Sequence, residues 1–193
     1  MLKTILLTII AISIALIGGA GSVWLALDSD FEFDSVVVGN WTAFPARGTP
    51  AADPYSKARF SREADLALGR AEGMVFIARR DSTGQPLLIE CTYRIEGELP
   101  PARFWTLRAE NPAGEVVAAE GRAPALNSEA LLRQPNNQAA ATISQHPAPG
   151  NWLALEGSGP FTLVLTLYDT AMASSARLTE VTLPPLVKAR CDV

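Results

Sequence analysis

Behind Met1-Leu2-Lys3 the chain runs through 24 residues, Thr4 to Leu27, without one ionisable side chain, and then meets Asp28, Asp30, Glu32 and Asp34. About 20 predominantly apolar residues suffice for a helix to cross the hydrocarbon core, so residues 1–27 are expected to form an N-terminal membrane helix. Lys3 at the short end keeps that end in the cytoplasm and sends the rest of the chain across. A cleaved signal peptide is the other reading, with Ile5–Ile17 as its apolar region and Gly18-Gly19-Ala20 as its cleavage site. The anchor is the reading adopted, because Ser22 to Leu27 resume the apolar run and place Trp24 near the outer interface.

Beyond the anchor the pattern changes twice. Residues 28–52 form a joining segment, in which Phe31, Phe33 and Val36 to Val38 are able to add a strand. Asp53-Pro54 is a helix start, with Asp53 as N-cap and Pro54 at the first helical position. The helix is expected to run to about Glu63 and, with only Tyr55 and Ala58 on its apolar face, to lie at a surface. From Met74 the period becomes two. Leu87, Ile89, Cys91, Tyr93 and Ile95 share one face of a strand, while Glu90, Thr92, Arg94 and Glu96 share the other. Phe104–Ala109 and Glu115–Ala119 flank a turn at Asn111–Gly114, Asn127-Ser128-Glu129 caps a short helical turn, and Ala139–Ser144 and Phe161–Tyr168 are further strands. Leu183–Leu186, interrupted by Pro184-Pro185, covers a sheet edge and returns Cys191 to the sheet.

Short strands joined by Gly and Pro turns predict a mainly all-β domain over residues 53–193, an antiparallel jelly-roll-like β-sandwich with one or two short helices. The gaps between strands are too short for the crossover helices of a parallel sheet. Fourteen Gly and fourteen Pro among 193 residues agree with many turns.

Charge narrows the partners. Without Lys3, 15 basic side chains face 20 acidic ones, and the basic residues are scattered, so no groove for nucleic acid is expected. Export gives the two cysteines, Cys91 and Cys191, a meaning. In an oxidising compartment they have one possible bridge, and two unconnected thiols are the alternative. His146 is the single histidine and sits in a Pro-rich loop, so multi-histidine metal sites are excluded and it reads as an exposed loop residue. Signatures of nucleophile elbows, phosphate loops and dinucleotide sites are absent from the sequence. No catalytic, cofactor-binding or metal-binding residue is therefore assigned. Alternation places Glu90 and Glu96 on the outward strand face. A possible binding patch gathers Trp105, Asn127, His146, Asn151 and Trp152, although a Trp after a loop is more often a core plug.

These segments occur in a familiar order: Asp53-Pro54-Tyr55, Glu72-Gly73-Met74, Cys91 to Gly97, Pro101 to Leu107, Asn127-Ser128, Pro149 to Leu153, and Leu165 to Thr170. In that order and spacing the chain resembles the bacterial domain of unknown function 1214 (DUF1214), in a short membrane-anchored form, over about residues 50–191. The resemblance implies a jelly-roll sandwich and no established reaction. In longer relatives this domain is the C-terminal half of a protein whose other half is called domain of unknown function 1254. The expectation is a single-pass protein of the bacterial inner membrane with its C-terminal domain in the periplasm. It is read as a binding or structural subunit, leaning away from an enzyme, whose partner resembles domain 1254 or is a second copy. The alternative is an envelope hydrolase or carbohydrate-binding protein that uses the concave face of the sandwich.

Overall fold

The computed structural model describes residues 2–28, 35–63, 68–69, 71–134, 138–171 and 181–191. The chain forms two compact units, Met1–Phe33 with Ala51–Leu66, and Asp34–Pro50 with Ala67–Val193.

The first unit is helical. Helix α1 is Leu2–Asp28, and its stretch Leu2–Leu25 is long and apolar enough to cross a membrane. Two of its hydroxyls bond inside the helix, Thr8 Oγ1 to Thr4 O and Ser22 Oγ to Gly19 O, both at 2.9 Å, which is what polar groups in hydrocarbon require. Helix α2 is Pro54–Glu63, capped as its sequence predicts. Asp53 Oδ1 accepts from the backbone of Tyr55 at 2.9 Å and Ser56 at 3.1 Å, and Oδ2 accepts from the Ser56 hydroxyl. The Ser56 hydroxyl and these amides hold the Asp53 carboxyl below the usual carboxylate range against a small desolvation.

The second unit is a sandwich of two sheets. Its strands are β1 (Val36–Val38), β2 (Trp41–Ala43), β3 (Gly73–Ala78), β4 (Cys91–Gly97), β5 (Phe104–Glu110), β6 (Ala125–Asn127), β7 (Ala139–Ser144), β8 (Asn151–Ala154), β9 (Thr162–Tyr168) and β10 (Leu186–Cys191). One sheet has the order β1-β2-β3-β9-β5-β6 and the other β10-β4-β7-β8. Both give side chains to one core, including Trp41, Phe76, Leu163 and Leu165 from the first sheet and Tyr93, Ile143, Leu153 and Leu186 from the second.

Of the eight strand pairs among the described residues, seven run antiparallel as expected, and β7 with β8 is parallel. No crossover helix is needed there. Asn151 pairs with Ala141, so the chain has to retrace only three residues from Ser144, about 10 Å. The loop 145–150 reaches about twice that distance. Gly150, with φ of 77°, makes the reversal just before β8.

Two strand expectations are corrected. The alternation from Leu87 to Ile95 is continuous in burial but not in pairing, because a turn at Leu88–Cys91 (Cys91 N to Leu88 O, 3.0 Å) interrupts it. Before the turn the chain pairs with the approach to β9, through Ile89 N to Gly159 O at 2.9 Å and Phe161 N to Leu87 O at 3.1 Å. After it, β4 belongs to the other sheet. The segment Glu115–Ala119 is not a strand: Val116 makes an isolated bridge to Glu110, Ala119 N donates to Ala154 O at 3.0 Å, and Asn111 Oδ1 accepts from the amides of Ala113 and Glu115 in the turn.

Strand β10 closes the second sheet. Leu186 is its one buried residue, and Cys191 lies opposite Cys91 in register. The two cysteines form the expected disulfide, with a Cα–Cα distance of 3.9 Å across 100 residues of sequence. Trp41 Nε1 donates to Pro184 O at 2.9 Å, which fastens the Pro-containing return segment beside β2.

Candidate functional site

The five residues of the sequence-predicted patch meet different fates where the edge strands β6 and β8 approach each other. Trp105 is 5% exposed and belongs to the core, with its backbone exchanging hydrogen bonds with Ser128. Asn127 ends β6, and its Oδ1 accepts from the amides of Glu129 at 3.1 Å and Ala130 at 2.9 Å, the capping role its sequence context predicts. Asn151 opens β8 and grips the loop that follows. Its Oδ1 accepts from Leu132 N at 2.7 Å, while Nδ2 donates to Leu132 O at 2.8 Å and to Ala140 O at 2.7 Å. Loop 128–132 is thereby clamped between β5 and β8, so Trp105, Asn127 and Asn151 act on one piece of chain.

Trp152 and His146 lie across the β7–β8 loop. The Trp152 indole Nε1 donates to Ser144 O at 3.0 Å and to Ser144 Oγ at 3.1 Å, and the Ser144 hydroxyl donates to the backbone oxygen of His146 at 2.7 Å. The Arg122 guanidinium stands over the Trp152 ring, 5.1 Å from its centroid, within cation–π range. His146 itself is exposed. The arrangement places an aromatic ring, a cation and an ordered polar edge side by side.

The carboxylates are structural where they are buried. Glu90, read from alternation as an outward residue, reaches Gly159 N with Oε1 at 2.8 Å, and that backbone bond lowers its carboxyl. Asp81 lies in the turn that follows β3. Its carboxyl is fully buried; Oδ1 accepts from Thr83 N at 2.8 Å, Thr83 Oγ1 at 2.6 Å and Gln85 N at 3.0 Å, and Oδ2 faces Lys188 Nζ on β10 at 3.8 Å. Burial alone would raise it, but the bonds from Thr83 and Gln85 and the charge of Lys188 outweigh that and hold it below the usual range. The spacing Asp-x-Thr-x-Gln was the available signal, since an Asp two residues before Thr folds back on its own turn. Tyr93 is pushed up by burial, and its hydroxyl accepts from Leu88 N at 2.9 Å. Among the described residues no three His, Cys, Asp or Glu side chains gather where a metal ion would sit.

The segments that carry the sequence resemblance are thus the ones that build the sandwich: Glu72-Gly73-Met74 opens β3, Cys91–Gly97 is β4, Phe104–Leu107 starts β5 and Leu165–Tyr168 ends β9. Among solved structures, the chain is similar to the VPA0106 protein from Vibrio parahaemolyticus at 15% identity and a TM-score of 0.58, over 70% of this chain and 35% of that one. An uncharacterized protein from Burkholderia cenocepacia aligns at 16% identity and a TM-score of 0.46, over 88% of this chain and 40% of that one. The first likeness shows a shared fold, and the chain spans just over a third of that longer protein. No curated protein matches the chain. The sequence profile described as protein of unknown function (DUF1214) matches residues 72–172, from the start of β3 past the end of β9, so with more than half of its length matched the chain belongs to the DUF1214 family.

Proposed function

We propose that this chain is a membrane-anchored, periplasm-facing subunit of the bacterial envelope, whose sandwich binds rather than catalyses and works with a second polypeptide. The observation that carries the reading is a DUF1214 sandwich behind a helix, Leu2–Leu25, long and apolar enough to cross a membrane, with an aromatic and cationic patch beside a clamped loop. The second polypeptide of this reading is one resembling domain of unknown function 1254, or a second copy of this chain. Lys3 ahead of the apolar run sets the direction of crossing. The candidate patch supports binding, since its side chains are committed to shaping loop 128–132 and to holding Trp152 beneath Arg122.

The test is cross-linking in intact cells, followed by purification of the full chain through a tag after Val193 and identification of the adduct by mass spectrometry. The expected result is one dominant adduct, with a polypeptide resembling domain 1254 or with this chain itself. A chain that stays uncross-linked at cross-linker levels that capture a known envelope complex contradicts the reading.

A further inference from the structure

Register fixes what the outer face of the β10-β4-β7-β8 sheet presents. Val187 lies opposite Arg94, Arg94 opposite Thr142, and Thr142 opposite Trp152, so one row crosses all four strands. Arg190 lies opposite Thr92 in the next row. The alternate residues Cys91, Tyr93, Ile95, Ile143 and Leu153 are buried, which assigns the row to the outside. Neighbouring strands are about 4.8 Å apart, so Arg94 and Trp152 are roughly 10 Å apart along the row, with the Arg122 guanidinium over the Trp152 ring.

Three exposed guanidinium groups therefore share one face of a chain whose net charge is −4. Among the described residues the Arg94 guanidinium has no ion pair or hydrogen bond. Glu96 shares the face two residues along β4, where it accepts from Gln134 Nε2 at 3.5 Å. Val187 at the margin is 47% exposed. Cations, an amphipathic ring and an apolar side chain on one sheet face are the composition of a membrane-facing patch.

We propose that this face lies against anionic phospholipid headgroups, with Arg94, Arg122 and Arg190 taking phosphates and with Trp152 and Val187 at the interface. The proposal rests on the anchored reading above. Connectivity favours lipid as the occupant. The tether enters the sandwich at β1, and the β1–β2 turn is bonded to the start of β10 through Leu186 N to Asn40 Oδ1 at 3.4 Å and through Trp41 to Pro184. The β10 margin of the basic face is thus the margin where the anchored end of the chain arrives. In sequence, seven residues, 29–35, join α1 to β1.

The test uses the full chain in nanodiscs of phosphatidylcholine, with or without phosphatidylglycerol, and headgroup-attached nitroxide lipid as quencher. A fluorophore is placed at Val187→Cys, and in a second sample at Val37→Cys, which lies on the outer face of the other sheet. Quenching at position 187 should rise with phosphatidylglycerol and stay low at position 37. Each of Arg94→Gln, Arg122→Gln and Arg190→Gln should lower the bound-to-free ratio about five-fold, the effect expected for one basic residue near an anionic surface. Equal quenching at the two positions, or a signal indifferent to phosphatidylglycerol and to the three substitutions, overturns the proposal while leaving the anchor intact. A chain that elutes apart from the discs removes the anchor and this proposal with it.

Discussion

Replacing Cys91 and Cys191 together by Ala should destabilise the sandwich chiefly through its unfolded chain. The bridge closes a loop of 100 residues, for which the chain-entropy relation gives about 4.7 kcal/mol at 25 °C. For a domain of this size each kcal/mol moves the midpoint by about 2–4 °C, so a fall of roughly 10–20 °C is expected. The folded state should survive. Leu186 remains buried, Ser82 N still donates to Leu186 O at 2.8 Å, and Lys188 still faces Asp81. Urea unfolding of the full chain in detergent, followed by Trp fluorescence, separates the two states. An unfolded chain freed of its loop exposes more surface, so the urea slope should steepen as the midpoint falls. An unchanged midpoint would refute the reasoning. An unchanged slope with fast amide exchange confined to β10 would also refute it, because the loss would then lie in the folded strand.

Three further outcomes follow from the packing and the hydrogen bonds. A Cβ added at Gly73 would sit 2.2 Å from Leu167 O, so Gly73→Ala has to open the β3–β9 ladder and should lower stability by about 2–3 kcal/mol in the same urea assay. Asn151→Ala removes three hydrogen bonds and should cost about 1–3 kcal/mol, with the amide of Leu132 exchanging faster, whereas an unchanged Leu132 would mean that the clamp is incidental. Asp81 has a folded carboxyl below its ordinary range, so its contribution is complete above that range and is lost as pH falls through the folded value. The stability gap between the parent and Asp81→Asn should therefore be widest near neutral pH and shrink on acidification below about pH 4; a gap independent of pH would remove the role given to the charge.

What the sequence discloses follows local period, and what it conceals follows partner choice. The apolar run, the Asp53 cap and the alternation in β4 and β9 are properties of neighbouring residues, and they appear where the pattern places them. The switch of sheets at Leu88–Glu90 is invisible to period because side-chain alternation continues while the hydrogen-bond partner changes from Gly159 to the strands flanking β4. Strand β9 is legible as a strand but not as one buried on both sides: Val164 and Thr166 on its outer side are each 3% exposed, because the half-buried Val75 and Ile77 of β3 and Thr106 and Arg108 of β5 flank them there. Strands β2, β6 and β8 are three or four residues long, too short to show a period. At the candidate patch, residue type pointed to Trp105 and Trp152 alike, and only the fold separates a core ring from one beneath a surface arginine. Asp81 escaped notice because its partner Lys188 is more than a hundred residues away.

Protease access decides whether, as proposed, α1 holds the sandwich on the far side of a bilayer. Spheroplasts carrying the full chain with an epitope after Val193 are treated with protease before and after the membrane is permeabilised. The epitope should be cleaved in intact spheroplasts and, without protease, should sediment with membranes on a chain still starting at Met1. An epitope protected until permeabilisation, or a soluble chain starting near Gly21, would contradict it.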